Sequence, residues 1–109
     1  MRAYPSTAPP PDRSEPSRHV QRAVDLFSTH LTSSDATDIP VAALDHIREA
    51  GRLGAQYFGG SRRTWERAAG DEFLFRLQSR FTDEPNNTRI AVALRHAAAQ
   101  IDYEFSVLH

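Results

Sequence analysis

Residues Leu53 to Arg67 read LGAQYFGGSRRTWER, and this stretch decides how the chain folds. A short apolar run ends at Phe58, two glycines follow, and Ser61 then opens a segment rich in arginine. Glycine permits the positive φ angle of a tight turn, and a serine at a helix N-cap accepts a hydrogen bond from a free backbone amide. The stretch therefore predicts two helices joined by a glycine turn, the second helix being capped by Ser61.

The composition outside this stretch is that of a small globular protein. The 109 residues are 39% hydrophobic and 25% charged, which fits one domain with a single core. There is no apolar run of about 18 residues, so the sequence predicts no membrane span. The first residues lack the apolar centre of a secretory signal, and we therefore expect a cytoplasmic protein. Cysteine is absent, which excludes disulfides and thiolate metal sites.

The charged residues are unevenly distributed. A net charge of −1 gives the chain no general attraction for nucleic acid. Between Arg48 and Arg80, however, there are seven arginines and four acidic residues, whereas acidic residues outnumber arginines from Asp83 onward. All 13 basic residues are arginine. Arginine pairs with phosphate, guanine or carboxylate through a planar fork, although a GC-rich coding sequence would produce the same bias.

The N-terminal segment differs from the rest of the chain. Residues 1–17 contain five of the seven prolines and few residues that could be buried. Proline removes backbone hydrogen-bond donors, and a segment that buries little cannot offset the entropy of ordering. We predict a disordered Pro- and Ser-rich tail over residues 1–17 and a single helical domain over residues 18–109.

The first helix is predicted from about Ser17 to Leu31. Its inner face is marked by apolar residues at intervals of three and four, namely Val20, Val24, Phe27 and Leu31. The other side should be solvated and carries His19, Arg22, Asp25 and Ser28.

The second helical region spans about Ile39 to Phe58, and Thr37 or Asp38 is expected to cap it. Gly51 and Gly54 interrupt this region. Each glycine costs about 1 kcal/mol relative to alanine in a helix, so two glycines predict either a break or a close helix crossing. We place a break here, which gives helices over Ile39–Ala50 and Arg52–Phe58.

The second of these helices, together with the turn and the arginine segment, resembles the helix-turn-helix pattern of many bacterial DNA-binding proteins. The matching positions are Ala55, Gly59, Ser61, Arg62, Arg63, Thr64 and Arg67, with Trp65 at a buried position. The resemblance implies a recognition helix that enters the major groove of duplex DNA, where arginine forks meet guanine edges or phosphates. The residues that it implies as the DNA- or partner-binding site are Ser61, Arg62, Arg63, Glu66 and Arg67.

Residues 71–81, DEFLFRLQSRF, fit two periods. Phe73, Leu74, Leu77 and Phe81 form a helical stripe that Asp71 would cap, whereas Phe73, Phe75 and Leu77 also alternate as in a strand. A strand would need residues 63–68 as its partner, which would remove the recognition helix. We favour the helix.

The last helix is predicted from about Thr88 to Leu108. One continuous face contains Ile90, Leu94, Ala97, Ala98, Ile101, Phe105 and Leu108. Its small residues allow another helix to approach closely, either within the chain or in a homodimer.

Catalytic chemistry has little support. No two of the five histidines are three or four residues apart, the spacing that would place two imidazoles on one helix face for a metal. His46 with Glu49 is a single candidate pair, and Asp71 with Glu72 fits a helix N-terminus better than acid–base work. We therefore expect no enzyme, no metal and no cofactor.

These patterns predict an all-α protein of four or five helices behind a disordered tail. The function that they favour is a small DNA-binding regulator, acting as a dimer because one short recognition helix covers little sequence. The alternative is a non-enzymatic protein-binding module, such as an adaptor, accessory subunit or inhibitor. It would use the same arginines and an aromatic helix face to bind an acidic protein partner.

Overall fold

The computed structural model describes residues 12–33, 37–83 and 87–106, and within these ranges the fold consists of four α-helices. They are α1 (Glu15–Ser33), α2 (Val41–Phe58), α3 (Arg62–Arg80) and α4 (Thr88–Glu104). The predicted all-α class is confirmed. Of the predicted tail, residues 1–11 lie outside the described residues, whereas α1 already begins at Glu15 rather than at Ser17.

α1 packs against both α2 and α3. The four residues of its predicted inner face are all buried, and Phe27 and Leu31 are fully so. The prediction that Ser28 is solvated is wrong, because this side chain is only 6% exposed. Because α1 contacts two helices, its buried surface is wider than its single apolar stripe and includes Ser28. The Ser28 hydroxyl has no hydrogen-bond partner among the described residues.

α2 is one continuous helix, so the predicted break at Gly51 is wrong. A β-carbon at Gly51 would lie 2.7 Å from the backbone Cα and N of Glu66 in α3. At Gly54 it would lie 2.8 Å from the ring of Trp65. The two glycines therefore allow a close crossing of α2 and α3, and the packing offsets their low helix propensity.

The start of α2 also differs from the prediction. The N-cap residue is Pro40, which makes no side-chain hydrogen bond to the helix, so neither Thr37 nor Asp38 caps it. Asp38 instead contacts Nε2 of His96 at 2.7 Å. The buried Ile39 donates its backbone N–H to Gln100 at 2.9 Å, which joins this entry segment to α4.

α3 runs through Gly70 without interruption, and the helix predicted for residues 71–81 is confirmed as its second half. Gly70 again marks a close contact, since a β-carbon there would lie 2.8 Å from Ile101 in α4. Asp71 is therefore not a helix cap, and its carboxylate pairs with Arg67 at 3.1 Å.

α4 closes the core against α3. It ends at Glu104, earlier than predicted, and residues 107–109 lie outside the described residues. On the predicted face Ala98 is exposed, and Leu108 is not described. A salt bridge of 2.6 Å between Arg48 and Glu104 ties α4 to α2. In the described ranges no helix combines the length and apolarity needed to cross a membrane.

Candidate functional site

The turn between α2 and α3 has the predicted form. Gly59 and Gly60 both adopt positive φ angles, of 82° and 92°, which side chains disfavour. The Ser61 side chain accepts a hydrogen bond from the backbone N–H of Thr64 at 3.4 Å, so the predicted cap is confirmed. The turn thus fixes where α3 begins and which side chains form its first turn.

Trp65 holds this turn in place. Its indole N–H donates to the carbonyl oxygen of Gly59 at 2.6 Å. The ring packs over Gly54 and lies 5.5 Å, centroid to centroid, from the ring of Phe58. Trp65 is only half-buried. A side chain that was predicted as core therefore forms part of the surface beside the turn.

The five predicted binding residues are divided by the structure into two groups. Ser61, Arg62 and Arg63 are exposed at the start of α3. The side chain of Glu66 is only 19% exposed, lies against Gly51 and pairs with Arg62 at 3.1 Å. Glu66 therefore belongs to the contact between α2 and α3 rather than to an open surface.

Arg67 is held by α4. Its guanidinium contacts the carboxylate of Asp102 at 2.6 Å and that of Asp71 at 3.1 Å. Asp102 first, with Asp71, raises the pKa of Arg67 above its ordinary value. This arginine joins α3 to α4, so it lies apart from the exposed first turn.

Replacing Arg67 with glutamine should lower the free energy of unfolding by about 0.5 to 1 kcal/mol, the value of a solvent-exposed ion pair. Asp102 is largely exposed, which limits the gain from the pair. Urea unfolding of R67Q, of D102N and of the double variant R67Q/D102N measures the coupling between the two residues. If the two losses add without coupling, the salt bridge contributes nothing to holding α4.

Arg13 joins the exposed arginines at this end of the molecule. Its guanidinium carbon lies 5.7 Å from the centre of the Phe58 ring, which itself packs on Trp65. Arg13, Phe58, Arg62, Arg63 and Trp65 are called the arginine corner here. It presents cations beside exposed aromatic surface, because Phe58 is 48% exposed.

A histidine pair lies between α1 and α2. The Nδ1 atoms of His19 and His46 are 2.9 Å apart, and the ring centroids are separated by 5.1 Å. The distance from an imidazole centre to its nitrogen is about 1.1 Å, so the two nitrogens point almost directly at each other. This is the geometry of one shared proton, with one Nδ1 donating to the other, and not of two lone pairs converging on a metal.

Burial lowers the pKa of His19, and the neighbouring His46 and Arg22 lower it further, while Glu49 and Glu15 oppose them. A base whose pKa is lower in the folded state binds more protons when unfolded. Its contribution to stability is therefore intact above the ordinary value of 6.5 and is lost as the pH falls below it.

We expect the free energy of unfolding to be lower at pH 5.5 than at pH 7.5, and H19Q to show a smaller difference. Two carboxylates near this end of α1 do not add to the difference, since Arg52 lowers the pKa of Glu49 and a hydrogen bond from Ser14 lowers the pKa of Asp12 to about 2. Urea unfolding at both pH values is the measurement. An equal pH difference in H19Q and the native protein would contradict the assignment to His19.

The histidine pair was not predicted, because its members are 27 residues apart and meet only when α1 packs on α2. The predicted pair of His46 and Glu49 does not form a site, since Glu49 accepts from Arg52 at 2.8 Å. The signal that could have found the pair is the position of each histidine at the edge of an apolar helix face.

Within the described ranges no three histidine or carboxylate side chains gather in a way that could hold a metal ion. Searches against protein-family models, curated proteins and solved structures find no match for this chain.

Proposed function

We propose that this protein is a small DNA-binding regulatory protein whose arginine corner contacts the phosphates of duplex DNA. The observation that carries the proposal is the first turn of α3, which reads RRTW and places Arg62 and Arg63 side by side on the surface. No carboxylate occurs among residues 62–65, all of which are described.

Two arginines in this position oppose the helix that carries them. The N-terminus of a helix bears a partial positive charge, so a cation there costs about 0.3 to 1 kcal/mol where a carboxylate would stabilise. Residues that lower the stability of their own helix are expected at functional sites. A phosphate resolves the conflict, because it accepts from the free amides of the turn and pairs with the arginine side chains.

The mode of contact differs from that of a whole recognition helix. Glu66 lies against Gly51 of α2 and Arg67 is held by Asp102 of α4, so the exposed arginines at this end of the molecule are Arg62, Arg63 and Arg13. Arg62 pairs with Glu66 at 3.1 Å, and a phosphate would compete with that pair. Contacts to phosphate position a protein without reading sequence. We therefore propose that one chain binds with little sequence preference, and that specificity requires a homodimer through the outer face of α4, where Val92 and Tyr103 are exposed.

Fluorescence anisotropy with a mixed pool of labelled 20-base-pair duplexes at low salt tests the proposal. The double variant R62Q/R63Q should bind at least tenfold more weakly than the native protein, because it loses two phosphate contacts. The matched control is R18Q/R95Q, which removes the same charge from exposed positions on α1 and α4. An equal loss of affinity in both variants would show that net charge alone explains the effect. An unchanged affinity in R62Q/R63Q would contradict the proposed contact.

The second candidate function is a protein-binding module. The observation that favours it is Phe75, which is 66% exposed in the middle of α3. A partner protein would hold the Phe75 ring in an apolar pocket. Acidic residues around that pocket would pair with exposed arginines of this protein. If a co-purified partner is lost in F75S and retained in R62Q/R63Q, this candidate replaces DNA binding.

A further inference from the structure

We propose that the groove between α1 and the first half of α2 binds a small organic carboxylate with an apolar body. The groove is open on one side and has a volume of about 580 Å³. This lies within the range of about 300 to 1,000 Å³ that is typical of small-molecule sites. The site is separate from the arginine corner and does not depend on DNA binding.

The groove follows one side of α1. Arg22, Leu26, Thr29 and Ser33 recur at intervals of three and four and therefore form a stripe along the helix. Pro40 and His46 close the groove on the α2 side, and His30 lies at its inner edge. Leu26 is 39% exposed, so the groove offers apolar surface as well as hydrogen-bonding groups.

The described lining of the groove includes one arginine and one aspartate. Arg22 makes no hydrogen bond or ion pair with any other described residue, although it lines the groove. The acidic residue of the lining, Asp25, is already paired with Arg80 at 2.5 Å. A guanidinium fork with no carboxylate of its own thus faces a partly apolar groove, and an anion is the ligand that complements it.

A carboxylate fits better than a phosphate. Among the described lining residues, Arg22 is the one that carries a permanent positive charge, and a single fork matches the two oxygens of a monoanion. His30, His46 and Thr29 can each supply a further hydrogen bond, whereas Ser33 already donates its hydroxyl to the carbonyl oxygen of Thr29 at 2.8 Å. The apolar surface of Leu26 and Pro40 requires an apolar body on the ligand, because water would otherwise remain on it.

The test is an NMR titration of the full chain, labelled with ¹⁵N, with 4-phenylbutanoate and three comparison probes. The comparison probes are 4-phenylbutanamide, acetate and inorganic phosphate. The carboxylate should shift the amide signals of the groove residues saturably, and the amide and acetate should each bind at least tenfold more weakly. R22Q should weaken 4-phenylbutanoate at least tenfold, whereas R95Q, an exposed arginine on α4, should change it less than twofold.

Five results would overturn the inference. Binding of the amide as tightly as the acid would exclude recognition of charge by Arg22. Binding of acetate as tightly as the acid would exclude the apolar surface. Displacement of 4-phenylbutanoate by an equal concentration of inorganic phosphate would exclude a carboxylate site. Unchanged binding in R22Q would exclude Arg22 as the partner of the carboxylate, and saturable shifts confined to residues outside the groove would exclude the groove itself.

Discussion

Replacing Gly51 with alanine is expected to lower the free energy of unfolding by about 2 to 3 kcal/mol, the usual cost of overpacking a close contact. At an open helix position the same change would stabilise by about 1 kcal/mol, so the sign itself is diagnostic. The added β-carbon would lie 2.4 Å from Cγ of Glu66 and 2.7 Å from its Cα and N. The backbone of Glu66 cannot rotate away, and α2 and α3 must therefore separate.

Urea unfolding of G51A measures this cost, and G54A is the matched control on the same helix. The β-carbon of G54A would meet the ring of Trp65 at 2.8 Å, and a side chain can shift where a backbone cannot. We therefore expect a smaller loss in G54A than in G51A. If G51A is as stable as the native protein, α2 and α3 do not cross at Gly51, and the break predicted from the sequence returns.

Replacing Phe73 with alanine should lower the free energy of unfolding by about 3 to 5 kcal/mol, as for other buried aromatic residues. Phe73 is fully buried, and its ring lies 6.1 Å from that of Phe27 in a stacked arrangement. The cavity left by the ring would open where α1 meets α3. For a domain of this size, such a loss consumes a large part of the total stability.

The control is F75A, two residues further along α3. Phe75 is 66% exposed, so its loss should change the free energy of unfolding by no more than about 0.5 kcal/mol. The pair also distinguishes a helix from a strand, because residues two apart share one face of a strand and lie on different faces of a helix. Equal costs for F73A and F75A would contradict the helix.

The elements that could be predicted are those whose pattern lies among residues close together in the sequence. The apolar stripe of α1 and the Ser61 cap each depend on neighbours within a few positions. Their outcome is therefore visible in a single sequence. The helix over residues 71–81 is favoured for a different reason, because the partner that a strand would need, residues 63–68, is itself predicted as the recognition helix.

The role of the glycines in α2 could not be predicted from neighbouring residues. A glycine that breaks a helix and a glycine that admits a neighbouring helix look alike in the sequence, because both are helix-weakening residues without a side chain. What separates them is the position of Glu66 and Trp65, which depends on how α3 folds back onto α2. The same holds for Gly70, because the residue that requires a glycine there is Ile101 in α4.

The candidate site was predictable only in its first turn. Arg62 and Arg63 follow the cap and are exposed for that reason, whereas Arg67 could not be distinguished from them by spacing. Its contact with Asp102 joins residues on two helices and depends on the rotation of α4 about its axis. The groove at Arg22 has the same origin, since its two walls come from different helices.

The salt dependence of DNA binding tests the proposed contact at the arginine corner most directly. Neutralising Z phosphates gives a slope of about −0.9Z for log K against log salt, so removing two contacts should reduce the slope by about 1.8 for each bound chain. Anisotropy titrations at salt concentrations from about 50 to about 200 mM give this slope. We predict that R62Q/R63Q loses the steep dependence while R18Q/R95Q keeps it. An unchanged slope in R62Q/R63Q, or an equal reduction in both variants, would contradict the arginine corner as the DNA contact.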